Sequence, residues 1–152
     1  MERMLLAPPV PTPIGVGPRY QPPPGIHGPC TDAPLRAGKR VHVELFANRF
    51  VVVVPARIGV RGTRCRARLW TTEPTGVIRF EGRATLRDLF AVWGRTLTGA
   101  RLLSFRGAVS VYRNGVRRPG DPRTVPLVAG DELVLEVGGY IPPHRRYRFP
   151  PH

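Results

Sequence analysis

The stretch TLRDLFAVWG, residues 85–94, is the segment of the sequence that decides the fold class. Thr85 is a good N-cap residue, and Asp88 follows three residues later, as in a capping box. Four apolar residues recur at i, i+3, i+4 and i+7 and would share one helix face. They are Leu86, Leu89, Phe90 and Trp93. Gly94 suits the end of a helix. The segment therefore predicts one helix that packs its apolar face on a sheet.

The sequence on both sides of this helix has the pattern of β-strands. Before it, VHVELF (41–46) and CRARLW (65–70) alternate between apolar and polar residues, and FVVVV (50–54) is β-branched. After it, AVSVYRNGVRR (108–118) contains the Asn-Gly signal of a tight hairpin. DELVLEV (131–137) alternates again. These segments predict several short strands, most of them joined by turns.

The order of these elements predicts an α+β fold, in which one helix packs on one face of a mostly antiparallel sheet. The later segments look like a β-grasp, the ubiquitin-like arrangement. Residues 1–29 are rich in Pro and Gly and predict an extended arm. Residues 30–140 would form the domain. Residues 141–152, rich in Pro and Arg, predict a tail that wraps its surface.

The charge of the chain suggests an anionic partner. It has 24 basic and 10 acidic residues, and Lys39 is its one lysine. The arginine bias, with 17 Gly and 19 Pro, is typical of a GC-rich genome, and the arginines are spread along the chain. Charge alone gives non-specific attraction, so a protein partner is favoured over nucleic acid.

A run of about 18 apolar residues is absent from the sequence, which predicts no transmembrane segment.

Two cysteines, Cys30 and Cys65, lie far apart and lack the spacing of a zinc site. Their positions allow either two free thiols or one disulfide. A disulfide would place the protein outside the cytosol.

Several short motifs follow one another in a specific order. They are Cys65, Leu69, Thr71, GVI (76–78), Glu81, TLRDLFAVWG (85–94), YRNG (112–115), GDPRTVPL (120–127) and YRFP (147–150). From about Gly25 to Pro150, the chain resembles a family of small bacterial cell-envelope or secreted domains. That family has a Cys, a strand H-x-H-x-x-L, a hairpin C-x-x-W-L-H-T-H-D-x-x-G-x-I-H-x-E and the helix T-L-x-x-F-F-x-x-W-G. The resemblance implies that Cys30 and Cys65 form a structural pair.

The chain departs from this family at the histidines of the hairpin. Three histidines on one sheet face can converge on a metal ion. Of the family's histidine-rich first strand, this chain keeps only His42, with Glu44 on the same face. We interpret this surface as a degenerate metal face that binds no cofactor. It consists of His42, Trp70, Thr72, Arg79 and Glu81. Arg79 would oppose a cation and could pair with Glu81 or Glu44.

The sequence contains neither a phosphate-binding glycine loop nor a nucleophile elbow, and we predict that the protein is not an enzyme. The preferred hypothesis is a peripheral extracytoplasmic binding or assembly module, an accessory subunit of a larger, membrane-attached bacterial complex. One alternative is a basic, ribosome-like nucleic-acid-binding protein. Another is a secreted copper- or zinc-binding protein that uses His42 and the tail histidines.

Extended, proline-rich segments can cover a large partner surface. Trp70 could equally be a half-buried sheet residue or a contact anchor, since Trp and Arg are favoured at interface centres. The predicted contact residues are Trp70, Arg66, Arg68, Pro22, Pro23, Pro24, Arg145, Arg146 and Tyr147.

Overall fold

A computed structural model describes residues 29–151 of the chain. The prolines at 22–24, which belong to the predicted contact set, lie outside these residues. Within residues 29–151 there are short strands and one α-helix, α1 (Leu86–Trp93), and a 3-10 turn follows at Pro122–Thr124. The strands are β1 (Lys39–Ala47), β2 (Phe50–Val52), β3 (Val60–Arg61), β4 (Cys65–Arg66), β5 (Leu69–Trp70), β6 (Val77–Phe80), β7 (Leu97–Thr98), β8 (Arg101–Leu102), β9 (Phe105–Arg106), β10 (Val109–Arg113), β11 (Val116–Arg118) and β12 (Glu132–Val137).

The largest sheet has seven strands. Six of them follow the order β11–β10–β12–β1–β6–β5, and β2 also pairs with β1. Strands β1 and β12 are parallel, whereas the other pairs in this sheet are antiparallel. The N-terminal part of β1 pairs with β6 and its C-terminal part with β2. A mostly antiparallel sheet with one helix confirms the α+β class.

The helix begins and ends at the predicted residues. The backbone N–H of Thr85 donates to the Asp88 carboxylate at 2.8 Å, as a capping box requires. Gly94 adopts a left-handed conformation, φ 75°, and its N–H donates to the carbonyl of Phe90. The four apolar residues of the predicted helix face are all buried in the core.

Alternation along β1 and β12 divides the sheet into two faces. Val43 and Leu45 of β1 and Leu133 and Leu135 of β12 belong to the core that also contains the helix. Because side chains of a strand point alternately to opposite faces, the residues between them lie on the other side of the sheet. We call that side the outer face. Its central members are His42, Glu44, Phe46, Glu132, Val134 and Glu136.

The chain's own C-terminal segment, residues 140–151, lies across this outer face. The N–H of Ile141 donates to Glu136, and the ring of Tyr147 stacks on His42. The guanidinium of Arg40 donates to the carbonyl of Pro150 at 2.6 Å. These contacts bury polar strand residues that an uncovered sheet face would leave in water.

Cys30 and Cys65 form a disulfide with their Cα atoms 5.1 Å apart, as the resemblance implied. It joins the start of the described chain to β4. Thr31 forms an additional β-bridge with Arg66 in the same place. None of the helices within residues 29–151 has the length and apolar character needed to span a membrane.

Candidate functional site

Four titratable side chains meet on the outer face, and we call them the His/Glu cluster. His42 and Glu44 come from β1, Glu132 from β12 and His144 from the C-terminal segment. The i and i+2 residues of β1 share a face, and the parallel pairing of β1 with β12 sets Glu132 opposite His42. Three separate parts of the chain thus bring two imidazoles and two carboxyl groups together.

Short hydrogen bonds join the members of the cluster. His42 Nδ1 lies 2.6 Å from Glu132 Oε1, and His144 Nδ1 lies 2.6 Å from Glu44 Oε1. His144 Nδ1 is also 4.0 Å from Glu132 Oε2. One donor atom from each of His42, Glu44 and Glu132 lies within 4.8 Å of the other two. The cluster is therefore compact enough for one bound cation or for protons shared among its members.

The orientation of His42 is fixed from outside the cluster. Its Nε2 lies 2.8 Å from the carbonyl oxygen of Thr75. Because a carbonyl can only accept, Nε2 carries a hydrogen and Nδ1 faces the carboxyl groups. On one side the ring of Tyr147 stacks on the imidazole, with centroids 3.5 Å apart and planes 6° from parallel.

Gly76 allows the chain to pass close to this histidine. Its φ is +86°, and a Cβ at this position would lie 3.0 Å from His42 Nε2 and 2.5 Å from the carbonyl oxygen of Val43. Any other residue would collide with the backbone of β1 and be strained in this conformation. The glycine therefore permits the Thr75 carbonyl to reach the imidazole.

Burial influences which members of the cluster carry a proton. Desolvation lowers the pKa of His42 below its ordinary value. Desolvation, with the neighbouring Glu44, raises the pKa of Glu132 far above its usual range. A neutral His42 that carries its hydrogen on Nε2 has a bare Nδ1. The Glu132 carboxyl group then donates the proton in the 2.6 Å hydrogen bond.

A cavity of about 420 Å³ opens beside the cluster. Its walls include both carboxyl groups, the side of β2 and the adjoining chain, and the turn at Pro74–Gly76. Arg146 and Arg148 of the C-terminal segment line the same cavity. A small ligand could therefore reach the carboxyl groups, in surroundings that also contain positive charge.

Trp70 and Arg66 are structural residues, because both are almost completely buried. The indole N–H of Trp70 donates to the carbonyl of Leu35 at 2.9 Å. The Arg66 guanidinium lies 3.6 Å from the Trp70 ring centroid and pairs with Glu81 at 3.0 Å. These contacts hold the segment after Cys30 against the sheet. Both side chains are therefore inside this fold, and a partner contact at these two residues stays a prediction.

The other predicted contact residues lie apart from one another. Arg68 is exposed and donates to the backbone carbonyl of Arg83 at 2.6 Å. Arg145 and Arg146 are exposed on the C-terminal segment, whereas Tyr147 is half-buried against His42.

The proposed degenerate metal face is divided by the structure. Trp70 and Arg79 are opposite each other on β5 and β6, and Arg79 donates to the carbonyl of Ala37. Thr72 is half-buried beside a separate cavity of about 350 Å³. The expected partners of Arg79 have other partners, since Glu81 pairs with Arg66 and Glu44 with His144. Of this face, only His42 belongs to the His/Glu cluster.

Sequence reasoning missed Glu132, and it considered His144 only as one of the tail histidines in the metal-binding alternative. Glu132 lies in the predicted strand 131–137, but its proximity to His42 depends on the parallel register of β1 and β12. His144 lies in a segment with no periodic pattern, so nothing local indicates which face it would contact.

Comparisons of the chain with protein-family models, curated proteins and solved structures found no match.

Proposed function

We propose that this chain is a non-catalytic, extracytoplasmic binding module that serves as an accessory subunit of a larger, membrane-attached complex. The observation that carries this proposal is the Cys30–Cys65 disulfide, since structural disulfides persist in oxidising compartments. It fixes the residue at which the proline-rich arm joins the domain.

The proposed scaffold is a β-grasp. Strands β1 and β12 are parallel neighbours at the centre of the sheet, and β10 and β11 follow β12 on one side. Strands β2 and β6 pair with the other side of β1, and α1 lies between β6 and β10 in chain order. This order of elements supports the ubiquitin-like arrangement.

The stretch that follows the disulfide and the C-terminal segment share one place on the surface. Leu35 and Arg36, which follow the disulfide, line the same 350 Å³ cavity as Tyr147, Pro150 and Pro151. The predicted arm, residues 1–29, precedes this stretch in the chain, and residues 1–28 of it lie outside the described residues. Extended proline-rich chains have little conformational entropy to lose on binding and can follow a partner surface. We propose that the arm and the C-terminal segment provide the partner contact.

The arrangement of the His/Glu cluster supports a role other than catalysis. Its two shortest hydrogen bonds are made between members of the cluster. The C-terminal segment covers part of the face on which they lie, and the cavity of about 420 Å³ opens beside them. A general acid or base needs a geometry in which it reaches a substrate proton, and these groups instead contact one another.

Nucleic-acid binding is the less favoured alternative. The net charge of +14 would attract a phosphate backbone. Single-stranded nucleic acid is also recognised by stacking on aromatic side chains. Trp70, which the sequence places near Arg66 and Arg68, is buried and cannot stack on a base. Binding through charge is strongly weakened by salt.

The test is native purification of the tagged chain from its source cells, with membrane and cytosol separated. We expect it to remain with membrane proteins after a wash at about 1 M salt, where the Debye length is only about 3 Å. A variant that lacks residues 2–28 should lose this partner while the domain keeps its fold. Recovery with ribosomes or nucleic acid, released by the salt wash, would contradict the proposal.

A further inference from the structure

We propose that the His/Glu cluster is a binding site for one divalent transition-metal ion of the Zn²⁺ class. Three ligands would be His42 Nδ1, Glu44 and Glu132, whose donor atoms converge on the outer face. The fourth would be His144 Nδ1, which is hydrogen-bonded to Glu44. This inference goes beyond the binding-module proposal and does not depend on it. It replaces the degenerate metal face with a different ligand set, of which His42 is the shared member.

The spacing of the donor atoms suits a single ion. Tetrahedral Zn²⁺ has bonds of about 2.0–2.2 Å to imidazole nitrogen and carboxylate oxygen, which sets its ligand atoms about 3.4 Å apart. The hydrogen-bonded pairs of the cluster are separated by 2.6 Å, and His144 Nδ1 lies 4.0 Å from Glu132 Oε2. The donor atoms of His42, Glu44 and Glu132 all lie within 4.8 Å of one another. Rotamer adjustment of the two carboxyl groups would bring the donor atoms of His42, Glu44 and Glu132 around one ion, and His144, which lies beside both carboxyl groups, would complete the set.

The surroundings of His42 are those of a metal-binding histidine. A ligating imidazole usually donates its other ring N–H to a carbonyl or carboxylate, which fixes the ring and its tautomer. Here Nε2–H donates to the carbonyl of Thr75, and Gly76 makes this approach possible. Tyr147 holds the ring plane by stacking. Nδ1 is consequently directed at the carboxyl groups by residues that are not ligands themselves.

The charges of the site favour exchange of protons for a cation. Two carboxyl groups lie close together here, and Glu132 is almost completely buried. A divalent ion with two ionised carboxylates and two neutral imidazoles forms an assembly with no net charge. Protons compete with a metal ion for the same ligand atoms, so acid would weaken binding.

Other charged groups around the cluster set limits on the affinity. Arg146 and Arg148 line the adjoining cavity and would repel a cation. The phenol of Tyr147 faces His42, and burial raises its pKa above its ordinary value, so it stays neutral. The set of two imidazole nitrogens and two carboxylates selects Zn²⁺ or Cu²⁺ over Mg²⁺ and Ca²⁺, which prefer oxygen ligands.

The experiment is calorimetric titration of the metal-free, disulfide-bonded full chain with Zn²⁺, repeated with Cu²⁺. We expect one ion per chain and X-ray absorption that shows nitrogen and oxygen ligands without sulfur. His144→Ala and the isosteric Glu132→Gln should each weaken binding at least about tenfold, as loss of a ligand requires. Glu73→Gln, at an exposed carboxylate outside the cluster, is the charge-matched control and should bind like the parent.

A double variant, His27→Ala with His152→Ala, tests the histidines outside the described residues and should also retain binding. Thermal melting identifies variants that no longer fold, and His144→Ala remains informative because its side chain is partly exposed. The proposal is overturned if the folded parent binds neither ion. It is also overturned if His144→Ala and Glu132→Gln keep the parent affinity, or if the double variant abolishes binding. None of these results bears on recovery of the chain with a membrane complex.

Discussion

Removal of the Cys30–Cys65 disulfide should lower the free energy of unfolding by several kcal/mol. The two cysteines are 35 residues apart. For a loop of this length, the loss of loop-closure entropy from the unfolded chain is worth about 3.8 kcal/mol at 25 °C. In a domain of this size that corresponds to a fall of roughly 15 °C in Tm. The stability is lost mainly because the unfolded state gains entropy. In the folded state, hydrogen bonds from Arg66 still hold the same segment in place.

The assay is equilibrium unfolding in urea of the parent and of the double variant Cys30→Ser, Cys65→Ser. The midpoint should fall and the m-value should rise, since the unlinked unfolded chain exposes more surface. A reductant should shift the parent to the midpoint of the variant and leave the variant unchanged. A difference below about 1 kcal/mol, with equal m-values, would refute the reasoning that loop closure dominates.

Three further changes test other parts of the structure. Trp70→Ala should cost about 3–5 kcal/mol in urea unfolding, since it removes a fully buried indole and the N–H bond that it donates. Asp88→Ala should cost about 1 kcal/mol in the same assay, because the N–H of Thr85 loses its acceptor at the start of α1. Burial raises the pKa of Glu136 from 4.5 to about 7, so the folded chain holds this proton more tightly than the unfolded chain. Its contribution to stability should fall by up to about 3 kcal/mol as pH rises through this interval, and Glu136→Gln should remove that part of the slope in urea unfolding.

The features that the sequence predicts well are those that depend on neighbouring residues. The helix, its cap at Thr85 and its glycine end at Gly94 follow from ten consecutive residues. The hairpin at Asn114–Gly115 is equally local, and it joins β10 to β11. Hydrogen bonds and periodic burial act over a few residues here, so the local pattern is sufficient.

The position of Trp70 shows where local pattern fails. Alternation along CRARLW places it on the outer face, which strand reasoning treats as half-exposed. In the fold, the segment tied down by the disulfide passes beside it, and Arg66 stacks on its ring. The sequence of the strand does not indicate that a distant, non-periodic segment covers it.

The His/Glu cluster also depends on segments that are distant in the sequence, and over longer separations. His42 and Glu132 are 90 residues apart, and His144 is 100 residues from Glu44. Their meeting requires the parallel register of β1 with β12 and the path of the C-terminal segment. A shift of one residue in that register would carry Glu132 to the opposite face.

The parallel pairing at the centre of the sheet also determines the order in which the chain can fold. Hairpins such as β5–β6 and β10–β11 close over short loops. In contrast, β1 can pair along its second edge only after β12, the last strand, has been made. Contacts of such high sequence separation slow folding, because the entropy of closing the chain is lost before they form. During synthesis, β1 would stay an open edge until nearly all the domain has emerged. Any ligand of the outer face would therefore bind only to completed domains, and its binding would report that folding has finished.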